Sequence, residues 1–414
     1  MSSNDTAPDD GRAGPRPLQA GGTPALPRSA GPPSPASHRP TPGKTPAGSR
    51  ADTSPQRILI IKPSSLGDIV HALPVLALLR ETWPQAHIAW LVGTAFAPLL
   101  DGHPLLDEVI VFDRRRFGRL LQSRRILTDF GRFVWQLRRR RFDLVIDLQG
   151  LVRSGFLAWA SGAPRRVGFA RARELAPLFY SQRVACPPDA AHAVDKNLHL
   201  AKALCPPSER GEVASFPLGL CREELAAARR LLADAAGRPL DAFVALLPGA
   251  RWESKRWPAD RFVALIDRLH AEGLPPVVLL GGPDDRTLAA QIASGCGAPV
   301  TNLVGRTTLR ELSALLALSG FVICQDSGPM HIAAALDKPL VALFGPTSSA
   351  RTGPYSAAAR VVALPLDCAP CYRRQCPLGH QACLKRLEVD AVLAAVRERW
   401  NTPDRSASPA SVRV

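Results

Sequence analysis

An alternation of two patterns constrains this chain more than any other feature. From residue 56 onward, short apolar runs at 57–62, 87–92, 108–112, 143–147, 242–247, 276–281, 300–304, 321–324 and 339–344 read as strands. Between them lie amphipathic stretches such as "RFVALIDRLHAEG" (261–273) and "LRELSALLALSG" (309–320). Runs that stay apolar from end to end suit strands covered on both faces, and strands alternating with helices predict βαβ units in parallel sheets. A polar, proline-bearing region near 206–219 separates two such sets. The expected fold is therefore α/β with two doubly wound domains, at 56–215 and 216–400, and "VDAVLAAVRERW" (389–400) as a closing helix. Ligands of such sheets bind outside the carboxyl ends of the strands, which directs attention to every strand-to-helix turn.

The 414 residues are enough for two domains with sizeable cores. Residues 1–55 are rich in Pro, Ser, Ala, Gly and Thr, with too little apolar surface to offset the entropy of ordering, and are expected to be a disordered tail; 401–414 read as a second, flexible one. The first stretch lacks an apolar h-region and no later segment offers 18 uninterrupted apolar residues, so neither a signal peptide nor a membrane-spanning helix is expected. Nine cysteines in such a chain point to reduced thiols in a cytoplasm. The formal net charge of +16 is concentrated: residues 114–141 hold eleven arginines against the one acid Asp129. Solvated helix faces usually mix both signs, so this block reads as a site for a polyanion or an anionic membrane surface.

Two turns carry chemistry-bearing residues. In "ILIIKPSSLGDIVHALPVL" (58–76) an apolar strand hands over to a helix through Ser64, Ser65, Gly67 and Asp68. Asp68 could cap the helix or act chemically, and the residues alone leave both open. Pro74 is expected to kink that helix. In "CQDSGPMHIAAAL" (324–336) Asp326 or Ser327 can cap an alanine-rich helix, Gly328 permits close approach, and Pro329 suits the first turn. The N–H groups at such a helix start favour a phosphate, and His331 lies within the first turn.

These segments, with "VIDLQGLVRSG" (145–155), "ARELAPLFY" (172–180), "HAVDKN" (192–197), "PGARWESKRWP" (248–258) and "DSGPMHIAAALDKPLVALFGPT" (326–347), resemble the heptosyltransferases of glycosyltransferase family 9. The K-x-S-S-x-G-D-x-x-H form looks most like the heptosyltransferase I group. The resemblance implies a GT-B fold, two Rossmann-like domains facing across a cleft. It implies inverting transfer of L-glycero-D-manno-heptose from its ADP derivative, the donor substrate, to a Kdo-lipid A acceptor during synthesis of the lipopolysaccharide inner core. The enzyme would then be cytoplasmic and peripherally bound to the inner face of the cytoplasmic membrane.

On this resemblance Asp68 is the general base that takes the proton of the attacking acceptor hydroxyl. Gly67 would leave room for substrate, and Ser65 lies on the acceptor side. Lys255 matches the lysine that meets the donor phosphates, flanked by Arg251 and Arg256, with Asp326, Ser327, Gly328 and His331 forming the pyrophosphate site. Asp285 in "LLGGPDD" stands where the family has a glutamate and is expected near the nucleoside. Arg114, Arg115, Arg116 and Arg119 would grip acceptor phosphates and carboxylates, for which the planar guanidinium fork is well shaped, and Arg173 and His192 match further acceptor positions. No Asp-x-Asp pair occurs, so transfer without a metal and without a cofactor is expected.

"CAPCYRRQCPLGHQAC" places Cys368, Cys371, Cys376 and Cys383 within sixteen residues, with His380 among them. They could ligate a structural zinc, but the second C-x-x-C of a zinc ribbon is missing, and reduced thiols packed near the donor domain are the other reading. Alternatives to the main reading are heptosyltransferase II or another family 9 transferase with a different acceptor, and a sugar-nucleotide epimerase of GT-B fold, which would not need the arginine block. A nucleic-acid-binding protein would leave "SSLGD" and "DSGPMH" unexplained, so no nucleic-acid partner is expected.

Overall fold

The computed structural model describes residues 54–119, 123–188, 190–205 and 214–401, so nearly all of both expected tails lies outside the described residues. Six parallel strands form the first sheet: β1 (Arg57–Ile61), β2 (His87–Gly93), β3 (Glu108–Phe112), β4 (Leu144–Asp147), β5 (Arg165–Phe169) and β6 (Gln182–Val184), in the order β3-β2-β1-β4-β5-β6. A second parallel sheet holds β7 (Val244–Leu247), β8 (Val277–Leu279), β9 (Val300–Asn302), β10 (Phe321–Gln325), β11 (Leu340–Leu343) and β12 (Ala359–Val362), in the order β12-β11-β10-β7-β8-β9. Counted from its own first strand, each sheet has the order 3-2-1-4-5-6 of a Rossmann domain. The chain is thus two Rossmann-like domains, the GT-B arrangement.

The central strands were legible because they are apolar throughout: Ile58 to Ile61 and Val244 to Leu247 are all buried. Three strands lack an uninterrupted apolar run and escape this reading. In β5 two arginines and a glycine interrupt the run, β6 is only Gln-Arg-Val at a sheet edge, and β12 at the other sheet's edge is half-buried. Pro74 does not kink a helix. The first helix ends at Val70, and a second, Leu73–Thr82, begins with Pro74 in its first turn, where the missing N–H costs nothing.

Helices cover both sheets through apolar stripes. In Ala259–Ala271 the buried residues are Phe262, Leu265, Ile266 and Leu269, spaced as one helical face requires. The expected closing helix is present as Val389–Trp400 and packs on Ala259–Ala271, β11 and β12. One core runs through both domains, from Ile58, Trp90 and Leu99 to Leu315, Val322 and Ala342. The other face of the first sheet has its own core, including Leu59, Leu91 and Leu137. Arg310 ties the linker down: its guanidinium donates to the carbonyls of Leu218 and Gly219 at 2.9 and 2.7 Å, reaches Leu99 O at 3.4 Å, and pairs with Glu224. No helix among the described residues is long and apolar enough to cross a membrane.

Candidate active site

In each sheet the strand order reverses beside the first strand, between β1 and β4 and between β7 and β10, and the turns after these strands carry the candidate residues. After β1, Ser65 is the N-cap of the helix Leu66–Val70 and Asp68 lies in its first turn. The Ser65 backbone N–H and hydroxyl both donate to Asp68 Oδ2, at 2.8 and 2.7 Å. The other carboxylate oxygen is 3.9 Å from the Lys62 ammonium, which donates to Leu148 O at 2.7 Å. Burial acts to raise the Asp68 pKa, but the Lys62 charge and the Ser65 hydrogen bonds outweigh it and hold the carboxyl below its ordinary range. Asp68 thus combines both open readings: it closes a capping box and keeps a partly exposed, ionised carboxylate.

Beneath this turn lies a group that sequence reasoning missed. Asp147, at the end of β4, is fully buried and accepts from the Tyr180 hydroxyl at 2.7 Å and from the N–H groups of Gln149 and Gly150. Burial raises its pKa, the hydrogen bonds opposing, and lowers that of Lys62, the charges of Asp68 and Asp147 opposing. The signals were present: an acid ending "LVID" and a lysine ending "ILIIK", each a charge at the limit of an apolar run.

On the second sheet Lys255 sits in a short 3₁₀ turn after β7, and Asp326 follows β10. Lys255 Nζ is 2.5 Å from Asp326 Oδ2 and 4.7 Å from the Trp252 ring centre, while the Thr347 hydroxyl also donates to Asp326. Ser327, not Asp326, is the N-cap residue of the helix Gly328–Ala335, and its buried hydroxyl has no hydrogen-bond partner. Asp285 lies against Gly249, accepts the Gly282 N–H at 3.3 Å, and has Arg256 at 4.0 Å; burial raises its pKa. Lys255, Asp326, Ser327, Gly328 and Asp285 therefore gather at the carboxyl edge of one sheet.

The two turns meet through the helices Leu66–Val70 and Gly328–Ala335. A Cβ at Gly67 would stand 2.3 Å from His331 Cδ2, and one at Gly328 would stand 2.7 Å from Leu66 Cδ2. The space at Gly67 is taken by His331, which corrects the expectation that it admits substrate. His331 Nδ1 and His71 Nε2 are 2.9 Å apart, and burial lowers these imidazoles to about 3 and about 2 respectively, so the pair is neutral. His192 is not free for an acceptor: Nδ1 accepts from Val194 N–H, Nε2 donates to Gly353 O at 3.1 Å, and its ring packs on His71 and Tyr355. These three histidines join the domains.

Residues 130–382 match the family model described as glycosyltransferase family 9 (heptosyltransferase). The chain belongs to that family. Lipopolysaccharide heptosyltransferase 1 of Pseudomonas aeruginosa is 33% identical over 77% of this chain and 87% of its own length. Lipopolysaccharide heptosyltransferase 2 of Salmonella typhimurium is 30% identical over 74% of this chain and 88% of its own. An E. coli heptosyltransferase solved with ADP superimposes with a TM-score of 0.68 at 28% identity, covering 83% of this chain and 99% of that one.

The family 9 chain carries its arginines at the same edge of the first sheet. Arg114, Arg115 and Arg116 form a short helix directly after β3; they and Arg119 are exposed, and Arg116 pairs with Asp129. Arg173 is exposed in the loop after β5. Cys368, Cys371, Cys376 and Cys383 line one small pocket as free thiols, yet among the described residues no three His, Cys, Asp or Glu side chains group as a metal's ligands. What this segment visibly does is support the Lys255 turn. Ser254 donates its hydroxyl to Arg373 O at 2.6 Å, and the Gln381 amide donates to Glu253 O and Arg256 O at 3.0 and 3.1 Å.

Proposed function

We propose that this family 9 enzyme is an inverting, metal-independent transferase that moves L-glycero-D-manno-heptose from ADP-heptose to a Kdo-lipid A acceptor at the inner leaflet of the cytoplasmic membrane. The observation that carries the reading is the meeting of the two turns, which brings the Asp68 helix against the helix capped by Ser327. The acceptor hydroxyl attacks the anomeric carbon from the face opposite ADP. The new C–O bond forms as the bond to the β-phosphate breaks, and the hydroxyl proton passes to Asp68. The departing diphosphate gains negative charge, which Lys255 and the N–H groups opening the helix Gly328–Ala335 stabilise, while the unpartnered Ser327 hydroxyl offers one more hydrogen bond. With these groups in place no divalent cation is needed. The exposed Arg114, Arg115, Arg119 and Arg173 bind the anionic acceptor. Support for the donor comes from the likeness to an enzyme solved with ADP, and support for the acceptor from the heptosyltransferase 1 relatives.

The test is purified enzyme with ADP-heptose and Kdo-lipid A, analysed by mass spectrometry with and without EDTA. Addition of one heptose at an unchanged rate in EDTA is expected; loss of the rate in EDTA, restored by Mg²⁺, would sink the metal-free mechanism. Because heptosyltransferase 2 relatives match nearly as well, the second arm offers an acceptor already carrying one heptose. Preferred use of that acceptor would assign the enzyme to the next step.

A further inference from the structure

The helix Arg124–Arg139 is amphipathic in an unusual sense. Its inner stripe of Phe130, Phe133 and Leu137 packs on the first sheet. Its outer face carries Arg124, Arg125, Arg132, Arg138 and Arg139, all exposed, together with Leu127 and Trp135, which are 56% and 55% exposed. The one acid of the helix, Asp129, is only 17% exposed and pairs with Arg116 and with Arg132 at 3.2 Å, leaving Arg124, Arg125, Arg138 and Arg139 with no acid on the helix. A second exposed tryptophan, Trp159, stands on the neighbouring helix Val152–Ala160; its ring abuts Phe156, which in turn stacks on Phe130 at 6.1 Å. Where the C-terminal end of the first helix meets the Ser161–Pro164 loop, an open groove of about 510 Å³ is lined by Trp135, Arg138, Arg139 and Arg141. Its acid, Asp143, is already engaged by the N–H groups of Gln56 and Arg57 at 2.7 and 2.8 Å.

We infer that this outer face is the surface on which the enzyme seats against an anionic lipid bilayer, separate from the arginines that hold the acceptor sugar; the inference rests on the proposed lipid-linked acceptor. Charge and shape select this occupant. Guanidinium groups that far outnumber their acids attract a negatively charged surface, while exposed tryptophan and leucine favour the boundary between headgroups and acyl chains. The placement agrees. Sixteen residues span about 24 Å, and the helix begins beside the Arg114–Phe117 turn at the carboxyl edge of the sheet. A membrane lying along the helix presents a lipid-borne sugar at that end.

The experiment measures co-sedimentation of the full chain with vesicles of phosphatidylcholine alone or with added phosphatidylglycerol. The wild type is expected to bind the anionic vesicles and not the neutral ones. Replacing Arg125, Arg138 and Arg139 by Gln should weaken binding about a hundredfold, and W135A/W159A should lower it separately. In both variants, transfer to a deacylated, soluble acceptor should stay at the wild-type rate while transfer to vesicle-borne acceptor falls. Undiminished vesicle binding by both variants, equal binding to neutral vesicles, or tighter binding to single-stranded RNA that the vesicles cannot displace would overturn the inference. Vesicle binding is read without turnover, so an inactive acceptor or donor would reject the proposed reaction and leave this result standing.

Discussion

Each domain places a lysine–aspartate pair at the point where its strand order reverses, but the two pairs are inverted. At the end of the first sheet the lysine lies underneath: the Lys62 side chain is 8% exposed and Asp68 is 42% exposed. At the end of the second the acid lies underneath, with Asp326 at 6% and Lys255 at 16%. One fold, used twice, offers an anion from one half and a cation from the other. The difference teaches how a single topology can present opposite charges, as the proposed roles of proton acceptor and phosphate ligand require. Which of the two lies deeper decides which charge is presented at the carboxyl edge of its sheet.

Asp68→Asn tests the anionic half and carries the largest expected effect, a loss of 10²- to 10⁴-fold in kcat, the usual contribution of a general base, with ADP affinity retained. A variant within tenfold of the wild type would end the comparison, since the exposed carboxylate would then have no chemical role. Lys255→Ala tests the cationic half. Losing a charge-assisted contact to phosphate costs about 1.5–3 kcal/mol, or roughly 10- to 150-fold in kcat/KM, with a weaker donor KM and an acceptor KM that hardly moves. Equal changes in both constants would show that the halves are not separate. The smallest effect belongs to Lys62→Met. Lys62 helps keep Asp68 below its ordinary pKa, and the base works deprotonated, so activity is lost as pH falls through that pKa. Removing the lysine raises the pKa and moves the acid limb of the rate profile to higher pH, leaving the rate well above neutrality nearly unchanged; an unmoved limb would deny the pairing.

Most of the fold was legible because interior parallel strands leave long apolar runs, as in Ile58–Ile61 and Phe321–Cys324. Two edge strands, β6 and β12, were not, since a strand paired on one side and half-exposed needs no such run, and the interior β5 was hidden because Arg165, Arg166 and Gly168 break its run. Of the site, Asp68 and Lys255 stand in recognisable turns. The histidines were harder to place, because their roles depend on contacts far apart in sequence. His71 meets His331 across 260 positions, and His192 reaches Gly353 across 161. Local pattern could not distinguish a histidine that joins domains from one that waits for a ligand. The same holds for Ser254 and Gln381, whose support of the Lys255 turn exists only after the cysteine-rich segment folds back on it.

The close seating of Gly67 on His331 makes the molecule an interlock. The turn that carries Asp68 is held by Ser65 and Lys62 of its own half and abuts His331 of the other, so the seam between the halves runs one residue from the carboxylate. A single methyl group at position 67 would overlap the His331 ring, so that ring or the helix bearing it would have to shift. Packing at the seam and the setting of the Asp68 turn are therefore tied to the same residue.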